Sequence, residues 1–138
     1  MASVGRAPDS LARVLVIVDA ENVRRSIWPN VSRERLVELL AGWAETSGDT
    51  PLVVYDGDAP PALPGVETAG SGGESADDWI ARRVGQLAEP YVLVTSDREL
   101  RDRAGANAAR IVGGGAFVRE LTRTDPDPDE PRQRGDAA

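Results

Sequence analysis

The chain has 138 residues with neither cysteine nor histidine, enough for one domain with its own core but excluding disulfides, a thiol nucleophile, a Cys/His zinc site and an imidazole base. All sixteen basic residues are Arg, which also excludes a Walker-type phosphate loop and a Schiff-base lysine. A formal charge of −7 argues against a uniformly basic nucleic-acid binder and leaves acidic side chains to carry any catalysis.

In chain order, residues 1–12 are small and polar and predict a flexible lead-in. Arg13–Asn22 reads RVLVIVDAEN, five apolar residues running straight into Asp19. Such a run without alternation predicts a strand covered on both faces, as in a parallel sheet flanked by helices. Ligands in these sheets bind beyond the carboxyl ends of the strands, where Asp19 would stand. Glu21–Trp28 predicts a short helix or turn ended by Pro29, with Asn22 in its first turn. Ser32 predicts an N-cap for a helix carrying Leu36, Leu39, Leu40 and Trp43 to Gly48, with Trp43 in the core.

A second strand, Leu52–Tyr55, runs into Asp56 and a proline-rich connection. Val66–Ala69 predicts a weak short strand, and Gly70–Gly73 a flexible connector, since it lacks the lysine of a phosphate loop. From Ser75 the stripe Ala76, Ile80, Val84 and Leu87 predicts a helix ended by Pro90, with Asp77 in its first turn. Tyr91–Thr95 predicts a third strand, followed by Ser96 as N-cap of a capping box with Glu99. Arg110–Val112 predicts a last short strand, Gly113–Gly115 a turn and Phe117–Leu121 a terminal helix. Residues 124–138 carry five acids and two Arg and too little apolar surface to fold, so they predict a disordered acidic, Pro-rich tail. The folded part is therefore placed at 13–123. No apolar run approaches the roughly 18 residues of a membrane span, and the first ten residues lack the apolar segment of a signal peptide. A cytoplasmic protein without membrane contact is expected.

Three strands each running into an aspartate set carboxylates along one sheet edge. Cleavage of a phosphodiester by divalent cations requires such a set, and Mg²⁺ needs few protein carboxylates besides water and substrate phosphate. Asp19, Asp56, Asp77 and Asp97, with Glu74 just upstream, supply the oxygens, and Asn22 adds a hydrogen-bonding group without charge. Helix dipoles by themselves account for an acid at Asp77 or Asp97, and a turn accounts for Asp56 before Gly57. Asp19 is hardest to explain that way, because an acid directly after a buried strand is costly unless it is paired, capping or ligating. Arg24, Arg25 and Arg98, with Ser96, lie where they could hold a nucleic-acid backbone. For any one Arg, a solvated helix face is the simpler reading.

The segments VIVDAEN at 16–22, VVYDGD at 53–58, ESADDWIARRV at 74–84, VTSDREL at 94–100 and GGAFVREL at 114–121 resemble, in order and spacing, the NYN branch of the PIN-like ribonucleases and its YacP-like members. The resemblance covers about residues 13–122. It implies a three-layer Rossmannoid α/β fold with a central, mostly parallel sheet and an RNA-cleaving site using Mg²⁺ or Mn²⁺, with endonucleolytic cleavage the expected form. Asp19, Asn22, Asp77 and Asp97 match the family's site positions, and Asp56 and Glu74 match less regular contributors. Ala20 and Glu21 depart from the Gly-Tyr type of pair common between the first Asp and Asn, which leaves Glu21 open as an extra ligand or a solvent-facing residue. The alternative function is a non-catalytic RNA-binding module on the same fold. A phosphatase is disfavoured, because DAEN lacks the second aspartate of the Asp-x-Asp enzymes. RNA is the expected partner, with the ribosome or another RNA-presenting protein and a homodimer through exposed helix faces left open.

Overall fold

The structure, a computed structural model, describes residues 13–123; the lead-in and the tail expected from the sequence lie outside these residues. Five strands form one sheet: β1 (Leu15–Asp19), β2 (Thr50–Tyr55), β3 (Glu67–Gly70), β4 (Tyr91–Val94) and β5 (Arg110–Val112). Their order is β3-β2-β1-β4-β5 and every pairing is parallel. The sheet is thus wholly rather than mostly parallel. Five helices complete the described residues: α1 (Ala20–Arg25), α2 (Arg33–Ser47), α3 (Ala76–Val84), α4 (Arg98–Ala104) and α5 (Gly114–Arg123).

The period-two geometry of a strand sends the unbroken apolar runs to both faces of the sheet. Val16, Val18, Val53, Tyr55 and Val94 pack on one face with Leu36, Val37, Leu40, Trp43, Phe117 and Leu121 from α2 and α5. Ile17, Leu52, Val54, Tyr91 and Leu93 pack on the other with Ile80 of α3 and Leu100 of α4. The result is a three-layer α/β/α fold. Trp43 meets Phe117 edge-on with ring centroids 5.1 Å apart, a core contact as its sequence position predicts.

The chain reverses its winding between β1 and β4, which are neighbours although β2 and β3 come between them in sequence. At such a switch point the loops leave adjacent strands in opposite directions and open a crevice at the carboxyl edge. Asp19 pairs with Val54 of β2, and Val18 with Val94 of β4. Asp19 and Thr95, the residue after β4, therefore leave the sheet side by side.

Several element ends differ from the sequence reading. Helix α1 starts at Ala20 and stops at Arg25, short of Trp28, because Ser26 and Ile27 close its last turn onto Val23 and Arg24 carbonyls. Helix α3 stops at Val84, with Gln86 and Leu87 continuing only as tight turns. Helix α5 begins at Gly114 and takes up most of the expected glycine turn. The stretch from Gly70 is not a flexible connector. Gly70 ends β3, Ser71 is buried, its N–H donates to Tyr55 O (2.9 Å), and its Oγ accepts from Gly57 N–H (3.0 Å). Gly57 itself stands at φ +75°, which favours glycine in this turn.

That fastening leaves no room at Gly70. A Cβ there would lie 2.3 Å from Gly57 O and 3.0 Å from Ala59 N, backbone atoms that cannot rotate aside. Gly70→Ala is expected to cost about 1–3 kcal/mol, the usual penalty of overpacking, and to lower the urea midpoint of unfolding without altering the slope. An unchanged midpoint would show that the Asp56–Asp58 turn yields freely.

Candidate functional site

Burying a carboxylate in apolar surroundings costs free energy unless something compensates it. Asp19 is only 5% exposed because its Cα is the last position of the central strand. It stands at the N-cap position of α1 but makes no side-chain cap hydrogen bond. One oxygen, Oδ2, accepts from Thr95 Oγ1 at 3.0 Å. The Asn22 backbone N–H also acts on this carboxylate. Burial pushes the Asp19 pKa up to about 6, against the Thr95 hydrogen bond, which lowers it; the charge of Asp77 raises it further, and the Asn22 amide and Arg25 lower it.

Thr95 is fully buried and serves two elements. Its Oγ1 donates to Asp19 and accepts from Asp97 N–H (3.1 Å). Asp97 in turn is the N-cap of α4, its Oδ1 accepting from Glu99 N–H (2.9 Å) and Leu100 N–H (3.3 Å). This corrects the assignment of Ser96 to that cap. Ser96 Oγ instead accepts from Gly114 N–H at the start of α5 (2.7 Å), and Ser96 N–H donates to Asn22 Oδ1 (2.9 Å). The bond from Ser96 fixes the amide of Asn22 with its oxygen inward, and the Asn22 NH₂ has no partner among the described residues. A Cβ on Gly114 would lie 2.6 Å from Asn22 Oδ1 and 2.8 Å from Ser26 Oγ, so glycine is needed for this approach. The starts of α1, α4 and α5 are thereby held to one another at the edge of β1 and β4.

The remaining acids reach the edge from the other side. Asp56 Oδ1 accepts from Ala76 N–H at the start of α3 (2.8 Å), and Ser75 Oγ caps the same helix through Asp78 N–H (3.0 Å). Asp77 is half-buried in that first turn and makes no hydrogen bond among the described residues. Burial raises its pKa, and the charges of Asp97 and Asp56 raise it further. Asp19, Asp56, Asp77 and Asp97 thus form one electrostatic set centred on Asp77. Glu74 is turned to an ion pair with Arg82. Among the described residues no group of three or more acids lies close enough to hold a metal ion ready-made.

Of the arginines singled out in the sequence, Arg24 is engaged, and so is Arg101 of α4. Arg24 donates to Glu21 (2.6 Å) and to Val31 O (2.9 Å), and Arg101 donates to Thr95 O (3.0 Å). Arg25 and Arg98 are exposed and form no hydrogen bond or ion pair among the described residues. Glu21 is half-buried and turned to two arginines. It pairs with Arg24 and, at 3.4 Å, with Arg33. Arg33 also donates to Asp56 O (2.6 Å) and Asp58 O (2.9 Å) and lies over the Tyr55 ring. It ties the loop after β2 to α1. Thr95 and Arg33 are the positions that the sequence reading missed. Thr95 carried a signal, a hydroxyl ending a buried strand that must find a partner; Arg33 carried none.

The donor set fits a hard divalent cation. It offers carboxylate oxygens, and two of the acids, Asp19 and Asp77, are held above their usual pKa by burial and by neighbouring carboxylates. In metal-free protein the sign of the pH dependence follows from Asp19. Its pKa is near 3.8 unfolded and about 6 folded, so between these values the folded state holds more protons. Stability is greatest below the unfolded pKa and falls as pH rises through 6, by roughly 3 kcal/mol for a shift of this size. Thermal unfolding in chelator from pH 4 to 7 should show Asp19→Asn losing that decline relative to wild type; parallel curves would mean that Asp19 ionises without penalty.

Comparison with known proteins agrees with the fold. A tryptophan-to-leucine variant of Rae1 (YacP) from Bacillus subtilis is 22% identical, with a TM-score of 0.66 over 88% of this chain and 82% of that one. Unsubstituted Rae1 (YacP) from Bacillus subtilis is 21% identical, with a TM-score of 0.64 over 87% and 79%. At these identities the likeness shows the fold. No curated relative matches the chain. No helix among the described residues is long and apolar enough to cross a membrane. The YacP-like NYN domain family matches residues 16–136, nearly the whole sequence, and the chain belongs to that family of PIN-like nuclease domains.

Proposed function

We propose that the protein is a ribonuclease that hydrolyses RNA phosphodiester bonds with Mg²⁺ or Mn²⁺ at the edge of β1 and β4. The observation that carries this reading is the pair Asp19 and Asp77. Both are taken partly or wholly out of water, the charge of Asp77 raises the pKa of Asp19, those of Asp97 and Asp56 raise that of Asp77, and neither is neutralised by an ion pair among the described residues. A fold keeps such repulsion when a bound cation relieves it.

Asp19, Asp77 and Asp97 would hold the cation, with Asp56 at the margin of the set and Glu74 joining only if it leaves Arg82. A cation bound there supplies charge for the scissile phosphate and lowers the pKa of water enough to stand in for the absent histidine base. The protein's own groups do the positioning. Thr95 keeps the Asp19 carboxylate in one orientation, Asp97 is held by the α4 amides it caps, and the free NH₂ of Asn22 donates to a phosphate oxygen. Arg25 and Arg98, which are exposed, are the cations open to the RNA backbone. Endonucleolytic cleavage belongs to this proposal, as does a cytoplasmic setting with RNA as partner, presented by the ribosome or another protein where free RNA is not cut.

One observation favours a second reading, a non-catalytic RNA-binding module. Among the described residues no three acids converge closely enough to form a metal site in advance. Cleavage of a mixed pool of structured and single-stranded RNA with Mn²⁺, Mg²⁺ or chelator separates the two readings. Wild type should cut only with metal, and Asp97→Asn should lose at least about a hundredfold in rate, as when a group stabilising the transition state is removed. Asparagine caps helices as well as aspartate does, so α4 should survive the change. RNA retained without cutting under all conditions would establish the binding module instead.

A further inference from the structure

The segment that leaves the site through α1 ends in a side chain that the chemistry above does not use. Trp28 is 91% exposed, whereas the next large hydrophobic side chains reach 39% (Leu63) and 38% (Ile111). Its backbone is firmly held. Ser26 N–H donates to Val23 O, Ile27 N–H to Arg24 O, and Ser26 Oγ to Asn22 O. Arg24 Nε donates to Val31 O, and with its amide turned to satisfy its neighbours Asn30 donates to the Arg24 and Ile27 carbonyls. Ile27 and Val31 on either side pack against the core. An ordered loop therefore projects one bare indole, where a chain avoiding apolar exposure would put a polar residue.

Its position links it to the site. Ser26, two residues earlier, borders Gly114 together with Asn22. Arg25, three residues earlier, is exposed, and its charge acts on Asp19. Helix α1 is six residues, about 9 Å long, so the chain carries Arg25 and the indole no farther from the carboxylate edge than this helix and the turn after it. An aromatic face beside an unpaired Arg suits a nucleotide whose base is out of a duplex. The base stacks on the ring, and the phosphate meets the fork of the guanidinium. A protein partner would use the same indole as an apolar anchor, but it would be better served by surrounding apolar surface. Here the neighbours of Trp28 in sequence are Arg24, Arg25, Ser26, Pro29 and Asn30, and Ile27 is turned to the core.

We infer that Trp28 is a specificity-determining residue that stacks on an unpaired base of the RNA while Arg25 holds an adjacent phosphate, so that single-stranded rather than duplex RNA is seated at the carboxylate edge. This rests on the RNA-directed reading above. The rim of the site then selects the strand, and the carboxylates act on it.

Binding and cleavage can be separated by working in the Asp97→Asn protein with Mg²⁺, using a labelled oligoribonucleotide, single-stranded or annealed to its complement, and reading anisotropy. Adding Trp28→Ala should weaken single-strand binding about tenfold, within the range for one stacked base, and leave duplex binding unchanged. Trp28→Phe should restore most of the loss. Arg25→Gln should weaken both forms and reduce the salt slope by about one. The emission of the exposed indole should be quenched by single-stranded RNA and not by duplex, and this quench should vanish in Trp28→Phe. Equal binding by wild-type Trp28 and Trp28→Ala, or equal weakening for both RNA forms, overturns the inference while leaving the nuclease reading intact and turns Trp28 toward a protein partner. Selective loss in Trp28→Ala alongside a wild type that cuts nothing upholds the stacking residue and removes the nuclease. Absence of any RNA binding overturns both.

Discussion

The energetic centre of this molecule is a carboxylate in the wrong place. Asp19 ends the central strand of a parallel sheet, is almost fully buried, and is met by the Thr95 hydroxyl and the Asn22 backbone N–H but by no ion pair among the described residues. Moving it outward would require breaking the β1 register with both β2 and β4, because its neighbours in the strand are the apolar residues that pack both layers. The sheet therefore imposes the burial, and the surrounding loops are arranged around the consequence. A second carboxylate, Asp77, stands close enough for its charge to oppose the first. Structural economy would remove one of them.

What keeps these acids in place is a relay of single hydrogen bonds between helix starts. Asp19, Thr95 and Asp97 connect β1 to α4, while Asn22, Ser96 and Gly114 connect α1 to α5. On the opposite wall Asp56 is bonded to the start of α3 and its loop is tied to α1 through Arg33 and Glu21. Each link joins elements far apart in sequence. Losing one loosens two helix ends, so the edge is rigid although it is built almost wholly from loops and first turns.

The parts legible in the sequence were those governed by local periodicity. The unbroken apolar strands announced a two-sided sheet, and the recurrence of strand followed by aspartate pointed to the edge where the acids gather. Helix α2 with its Ser32 cap was equally plain, since the serine accepts from Arg35 N–H as expected (2.9 Å). Where the reading failed, two neighbouring residues competed for one job. Ser96 and Asp97 can each cap a helix, and the choice between them was made by Gly114, eighteen positions on. The glycine run from Gly70 looked flexible because glycine is permissive, but here a side chain is excluded by the turn after β2. Glu21 could not be assigned from its neighbours, because its second partner, Arg33, lies twelve residues away. Tertiary hydrogen bonds of this kind leave no periodic trace.

The charge of the chain follows the same logic. At −7 it looks ill suited to a polyanion, yet net charge describes solubility and long-range approach rather than a site. Several arginines that could have offset it near the edge are spent internally, Arg24 and Arg33 on Glu21, Arg82 on Glu74 and Arg103 on Asp78. A nuclease acting through this edge would then draw little affinity from bulk electrostatics. Its hold on RNA would come from cations bound among the carboxylates, from the few free guanidinium groups, and from contacts that do not depend on charge. That division favours substrates delivered in a particular conformation over any RNA met by diffusion, because stacking and a bound cation recognise geometry, whereas a basic surface recognises only phosphate.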